Sequence, residues 1–388
     1  MAVVCWGFGF YGHGFYLAEL KRLHGWPTSL IASASTAYYL FSALLVVFVN
    51  DLIRGLGVRA CVITGVFSFA VSVAGLPFAT EPWHLFAAYA LMAVGWTTMS
   101  LGAITNILGL WFESRRGLAI SLALNGASFG GVIVVPALVF LATAAGFGVA
   151  MLTSAALILV VMLPIAVSIF RAPAPRATAG RDSNSASHPA TAQPMLWTRR
   201  VALASPAFWS VSAPFALALL SQVGFLVHQI AFLEPIIGRH QAGIAVAITT
   251  AMAIVGRFAL GPFAHVLNQR IASALSLATQ AAALGVMTQA TDAATLYSAC
   301  AVYGFSVGNI ITFPALIIQR EFEAAAFGML MGLSTGLAQF TYAFGPGLVG
   351  FVRDATGTYA AGLAVCMTLN VIAAAVVSRR RAPKPARS

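Results

Sequence analysis

The sequence predicts an all-α membrane protein of twelve transmembrane helices in two pseudo-symmetric bundles of six. Three observations carry that expectation. Apolar runs of membrane length follow one another along the chain, without the alternation that barrel strands need. Charge is scarce: 8% of residues are Asp, Glu, Lys or Arg, against roughly 25% in soluble domains, and mean hydropathy is +0.90. The basic residues gather at alternate junctions between the runs. At about 20 apolar residues per span, a chain of 388 residues has room for twelve spans and short loops.

The first span, Met1–Leu20, is short, so the natural start lies upstream or the helix is abbreviated. Its Gly7-Phe8-Gly9-Phe10-Tyr11-Gly12 matches a dinucleotide fingerprint by letter. That fingerprint needs a preceding strand, and small residues that let helices approach are the better reading. Lys21–Pro27 forms a loop, and Pro27 opens span 2, which runs to about Val49. Residues 50–59 are read as the next loop. Spans 3 and 4 cover about Ala60–Phe78 and Leu85–Leu110. Span 5 follows Gly117 and contains Gly126-Ala127-Ser128-Phe129-Gly130, a hydrolase elbow by letter but set inside a membrane helix and without Asp and His partners. Span 6 ends near Phe170.

Residues 171–205, rich in Ala, Pro, Ser and Thr with five arginines, read as a mobile linker. They divide the chain into an N-terminal bundle, 1–170, and a C-terminal bundle, 206–378, with a basic tail at 379–388. Span 7 is expected to end at Glu234-Pro235. Spans 8 to 11 cover about Ala242–Ala264, Ile271–Gln289, Ala293–Ile318 and Phe327–Phe351, and span 12 ends near Val377. A shift of 210 residues aligns Phe112-Glu113 with Phe322-Glu323, Gly126 with Gly336 and Pro136 with Pro346. That echo suggests two halves related by a parallel repeat.

The net charge of +11 suggests nucleic acid only until the charges are placed. With both termini in the cytoplasm, sixteen of the 21 Lys and Arg residues fall on the cytoplasmic side. Four (Lys21, Arg22, Arg239, Arg353) fall outside and Arg257 lies within a span. This is the positive-inside bias of a multi-pass protein of the cell inner membrane, and no nucleic-acid partner is needed. Cys5, Cys61, Cys300 and Cys366 are scattered, so neither a metal site nor a disulfide framework is expected. No Walker motif occurs, and no cofactor is expected.

Trp111-Phe112-Glu113-Ser114-Arg115-Arg116-Gly117, followed by a glycine-rich helix, resembles the loop between helices 4 and 5 of the major facilitator superfamily. The resemblance is to the branch of oxalate:formate antiporters and monocarboxylate porters. Asn50–Arg59 resembles that superfamily's loop 2–3 motif, with Arg54 in the usual Asp slot and Asp51 three residues earlier. His228…Pro235…Gly238 with Gly256-Arg257…Gly261-Pro262 resembles spans 7 and 8 of the branch, and His265 replaces an expected Asp. Gly345-Pro346…Arg353-Asp354…Gly357 resembles loop 11–12. The resemblance implies two bundles rocking about a midplane site. It also implies a gate or loop-motif set of Asp51, Arg54, Arg59, Arg115, Arg116 and Asp354.

All ten acids fall in loops or at predicted span ends. Ionisable groups inside a membrane are costly and mark function, which singles out Arg257, His13 and His228. A basic cavity without a buried acid favours an anion, and the planar fork of Arg suits a carboxylate. In the resembled branch an Arg at this place on span 8 binds substrate carboxylate. The candidate substrate site is therefore Arg257 with His13, His228, Gln222, Asn125 and Tyr303. Arg257 lies about 10 Å from the predicted end of span 8 by helical rise, so snorkelling to the surface is the competing reading. Span 11 lacks the branch's second cation, which leans away from dicarboxylates toward a monocarboxylate. The expected partners are the bilayer, a small anionic solute, and a coupling proton or counter-anion. An exporter of drugs or metabolites with the same fold, or a membrane-embedded enzyme, are the alternatives.

Overall fold

The computed structural model describes residues 1–46, 48–100, 103–104, 107–108, 123, 125–169, 197–260, 267–323 and 326–379. Span 1 comprises α1 (Ala2–Trp6), a π-helical turn (Gly7–Tyr11) and α2 (Gly12–His24). It ends at Gly25, whose left-handed φ of 66° lets its N–H close on the Lys21 carbonyl. Next come α3 (Thr28–Val46), α4 (Val49–Gly75), α5 (Pro82–Met99), α6 (Val135–Ala145) and α7 (Phe147–Ile169). The second half contains a short α8 (Arg199–Ala204), then α9 (Pro206–Ile237), α10 (Arg239–Leu260) and α11 (Gln269–Gln289). It continues with α12 (Ala293–Ile310), α13 (Phe313–Glu321), α14 (Phe327–Tyr342), α15 (Gly345–Thr356) and α16 (Tyr359–Ser378).

Among the described residues, nine helices are long and apolar enough to cross a membrane. The other three expected spans have visible interruptions. Span 1 contains the π turn, span 4 turns extended at Ser100 (φ −82°, ψ −167°) just past Met99, and span 11 breaks between Tyr342 and Gly345. Several boundaries differ from the sequence reading: the first helix continues through Lys21–His24, and span 10 breaks after Ile310. Residues 50–59 are helical, broken only at Gly57, where φ is 80° and ψ is 156°. Span 7 runs through Pro235 to Ile237, because Gly238, with φ 82°, supplies the stop. The stretch 111–117 with Arg115 and Arg116, most of the linker 171–205, His265 and the tail beyond 379 lie outside the described residues.

Helices of the two halves meet along three seams. At the first, Gly14 of α2 lies against the main chain of α9, where a Cβ would come 3.0 Å from the Leu226 carbonyl. At the second, the Gly347 N–H of α15 donates to Thr36 Oγ1 of α3 at 3.1 Å. At the third, α10 rests on span 5, with Gly243 against Val139 and Gly131 against Thr250. Exchanging the halves turns the span 5–8 seam into the span 11–2 seam and maps the span 1–7 seam onto itself. The echoed prolines fit this exchange. Pro136 follows a π turn (Gly130–Val134) at the start of α6, and Pro346 follows the break at 343–344 at the start of α15. Each halts regular hydrogen bonding at the matching depth of its span, as a missing N–H requires.

The seams are latched at the end of the bundle away from the linker. Glu19 of α2 is 1% exposed, accepts from Arg22 at 2.9 Å and is ion-paired with Arg239, the first residue of α10. Asp354 of α15 accepts from the Ser29 N–H at the start of α3, at 2.6 Å. Ser29 and Arg239 are 210 residues apart, the spacing of the repeat. Each half thus presents the first turn of a helix to an acid of the other, where the helix dipole favours negative charge.

Burial alone would raise the Asp354 carboxyl, but hydrogen bonds from the Ser29 amide and the Arg353 guanidinium outweigh it and hold it at about 2. A carboxyl depressed below its ordinary 3.8 stabilises the structure above that value and stops doing so as pH falls toward 2. The stability gap between the parent and Asp354→Asn is therefore expected to be constant from about pH 8 to 5 and to close between about 4 and 2. Thermal unfolding in detergent across that range checks it. A gap that varies between pH 5 and 8 would place the effect in another group.

Candidate functional site

Span 5 reaches α10 through Ser128, whose hydroxyl accepts from Arg257 Nη2 at 2.6 Å. Arg257 Nε turns back to the Ala253 carbonyl at 3.3 Å. The guanidinium is thus turned across the bundle to the opposite half, rather than extended along its own helix toward the surface. Ser128 is 1% exposed, while Arg257 is half-buried. Tyr11, in the π turn of span 1, lies within electrostatic reach of Arg257, and its ring stands over Gly131 of span 5. Asn125 sits one turn before Ser128 and is half-buried. The π turns of spans 1 and 5 face each other closely: a Cβ on Gly130 would come 2.6 Å from the Gly7 nitrogen. A π turn shifts side chains out of α register and often marks a working site. Here Tyr11 lies within one such turn and Ser128 just before the other, both near one cation.

Aromatic rings extend the wall. Trp6 meets Trp96 at 5.0 Å between ring centroids, Phe10 stacks near Trp96 at 6.4 Å, and Phe10 meets Tyr39 at 6.2 Å. Tyr39 of α3 reaches Tyr342 of α14 across the halves at 5.6 Å. Trp6, Phe10, Tyr11 and Tyr342 are only partly buried. Such a lining suits an organic body beside a charged head.

The other expected site residues are dispersed. His13 is enclosed within the N-terminal half by Tyr38, Tyr39, Tyr89 and Tyr16. His228 is 1% exposed and donates from Nε2 to the Pro346 carbonyl at 3.0 Å, with Tyr359 beside its ring. Tyr303 is fully buried against Phe225, at 4.8 Å. Gln222 is 4% exposed, and its Oε1 has no hydrogen-bond partner among the described residues. None of these four shares a hydrogen bond with Arg257 among the described residues. Of the expected gate residues, Asp51 and Arg59 are exposed, Asp354 is in the seam between spans 2 and 11, and nothing is described of the Arg54 side chain.

Ser128 and Tyr11 escaped the sequence reading because both sit in glycine-rich runs that read as packing. Arg270 escaped because an arginine at a span end reads as topogenic. It is instead 4% exposed and grips Glu321 through two 2.8 Å contacts. No group of three or more potential metal ligands occurs among the described residues.

Two matching helical halves, with a cation and an aromatic wall at their seam, define a membrane solute carrier rather than an enzyme. The chain belongs to the Major Facilitator Superfamily, whose family model matches residues 1–236. It is 27% identical over 337 residues to monocarboxylate transporter 11 of Mus musculus, covering 80% of this chain and 69% of that protein. The fold is similar to that of a bacterial homologue of the human lysosomal transporter Spinster, in an inward-facing and unoccupied conformation. That match has a TM-score of 0.75 at 15% identity, covering 97% of this chain and 95% of the other. The inward-facing, occupied form of the homologue matches with a TM-score of 0.69 at 13% identity.

Proposed function

We propose that the protein moves a small monocarboxylate, or a similar singly charged anion, across the cytoplasmic membrane by alternating access. The halves, 1–170 and 206–378, rock about the seam, with linker and termini in the cytoplasm. The observation that carries this reading is Arg257 turned onto Ser128 at the junction of spans 5 and 8. Nη2 is engaged, and Nη1 makes no hydrogen bond to any of the described residues. A carboxylate there could accept from Nη1 and from the Ser128 and Tyr11 hydroxyls. No acid lies on α10 to neutralise the cation, and a guanidinium inside a membrane needs a cavity, a partner or an anion. The name of the mouse relative supports the same substrate class. The aromatic wall favours a carboxylate with an apolar or aromatic body, and also suits an exporter of such compounds.

The test is a thermal-shift panel of monocarboxylates, dicarboxylates and uncharged analogues on purified protein. A ligand at 100 times its Kd raises stability by about 2.7 kcal/mol. Arg257→Gln is expected to abolish the shift given by the best monocarboxylate. Arg257→Lys keeps the charge but loses the fork, and binding should weaken about ten- to a hundred-fold, the value of a charged hydrogen bond of about 1.5–3 kcal/mol. Unchanged binding by Arg257→Gln would overturn the anion reading and leave the exporter reading.

A further inference from the structure

We propose that Phe10 makes this carrier selective for aryl monocarboxylates, acids whose carboxylate is joined to an aromatic ring directly or through one carbon. The proposal rests on the reading of Arg257 as the anion's partner, and it names the body of that anion and the residue that selects it.

The two halves of such a ligand find their partners side by side. Tyr11 lies within electrostatic reach of Arg257. Phe10, its neighbour in the π turn Gly7–Tyr11, meets the Tyr11 ring edge to face at 5.1 Å between centroids. The glycines of that turn carry its packed side, Gly7 against Val134 and Gly9 against Tyr38 and Phe69. The rings of Phe10 and Tyr11 stay half-buried. A carboxylate at Arg257 and Tyr11 therefore has an aromatic surface one ring away. That short reach suits an acid carried on the ring or one carbon from it. A long alkyl linker would push the ring past the wall.

Phe10 is the hub of that surface. Trp96 of α5 lies 6.4 Å from it with 25° between the ring planes, and Tyr39 of α3 meets it at 67°. Trp6, four residues earlier and also half-buried, packs on Trp96 at 5.0 Å. An arriving ring is thus offered neighbours both flat and edge-on, and offset-stacked and edge-to-face pairs are the favoured aromatic arrangements. A cycloalkyl group of similar size gains the buried area but not the oriented contacts. A short aliphatic acid leaves the wall uncovered. Ring faces carry negative potential, so a second carboxylate is turned away from the wall. Selection by shape and selection by charge then act at adjoining residues of one turn.

The experiment measures binding to the purified full chain in detergent, with phenylacetate, cyclohexylacetate, pyruvate and uncharged phenylacetamide as probes. Phenylacetate is expected to bind about tenfold more tightly than cyclohexylacetate, the upper range of one aromatic pair. Phe10→Leu keeps an apolar side chain but removes the ring, and it should erase that ratio while binding pyruvate as the parent does. Phe10→Trp restores a ring and should keep the preference. A merely structural role for Phe10 would weaken all acids together and leave the ratio intact. Equal affinity of the parent for phenylacetate and cyclohexylacetate would overturn the proposal, and this comparison needs no variant to fold. So would a folded Phe10→Leu protein that retains the preference. The anion reading fails separately: phenylacetamide binding as tightly as phenylacetate would remove the carboxylate from recognition and leave the ring selection standing. Pyruvate binding that needs Arg257, without any preference for aryl acids, would do the reverse.

Discussion

Glu321→Ala is expected to destabilise the protein by about 3–5 kcal/mol, the cost of leaving a buried charge without its partner. Arg270 is bound to Glu321 through both Nε and Nη2 at 2.8 Å. Nη2 also donates to the Ser210 hydroxyl at 3.0 Å, and Nη1 donates to the Val377 carbonyl at 3.0 Å. One guanidinium thereby ties the start of α9 and α11 to the ends of α13 and α16. Without the carboxylate, the cation remains in a site whose other partners are neutral. Reversible unfolding in mixed detergent reads the loss. Replacing both partners with apolar residues of similar volume, Arg270→Met with Glu321→Leu, should recover much of it, since the charges repay their own desolvation only together. A Glu321→Ala protein within about 1 kcal/mol of the parent would show that water already solvates Arg270.

The second large effect is expected at Gly308. A Cβ there would run into the Ala253 carbonyl of α10, as one on Gly304 would into the Thr249 carbonyl and one on Gly256 into the Phe305 carbonyl. These obstacles are backbone atoms, so no rotamer change can clear them. Spans 8 and 10 touch main chain to main chain. The same Ala253 carbonyl receives Arg257 Nε, so prising the helices apart also displaces the guanidinium. Gly308→Ala should cost at least the 1–3 kcal/mol typical of an overpacked core and weaken anion binding. Gly308→Val should yield little folded protein. Gly332→Ala on α14 is the control: its Cβ would enter open space, and the change should fall within about 0.5 kcal/mol of the parent. Expression yield and the thermal-shift ligand response together measure this. A Gly308→Val protein that folds and binds would show that the two helices can separate without consequence.

Much of the architecture was legible because the bilayer imposes it. Length and apolarity set the spans, and the 210-residue echo paired Pro136 with Pro346, each of which stands in the first turn of a helix. Arg257 was legible as a cation within a span. What was hidden depends on local geometry that letters do not encode. Nothing in Gly7–Tyr11 or Gly130–Val134 announces a π turn, yet the first holds Tyr11 and the second follows directly on the turn of helix that carries Ser128 to Arg257. Arg270 and Glu19 look like ordinary span-end charges until folding places a partner from a distant helix beside each. The loop expected at 50–59 is helical because only Gly57 interrupts it, at a φ that other residues avoid.

The reciprocal latches bear on how tightly transport is coupled. A carrier slips when an empty molecule changes face and dissipates a gradient without moving cargo. Here the end away from the linker is held by Glu19 on Arg239 and by Asp354 on Ser29, donated in opposite directions between the halves. Neither contact involves the central wall, so neither can be released by a solute that merely fits. If the halves rock as proposed, both part in the same excursion, and the empty carrier faces the sum of two barriers rather than the lower of them. A solute bound at Arg257 and Ser128, as proposed above, would offset that sum; an unoccupied site would not. Leak should therefore rise steeply only when both acids are neutralised, and by much less when either one is.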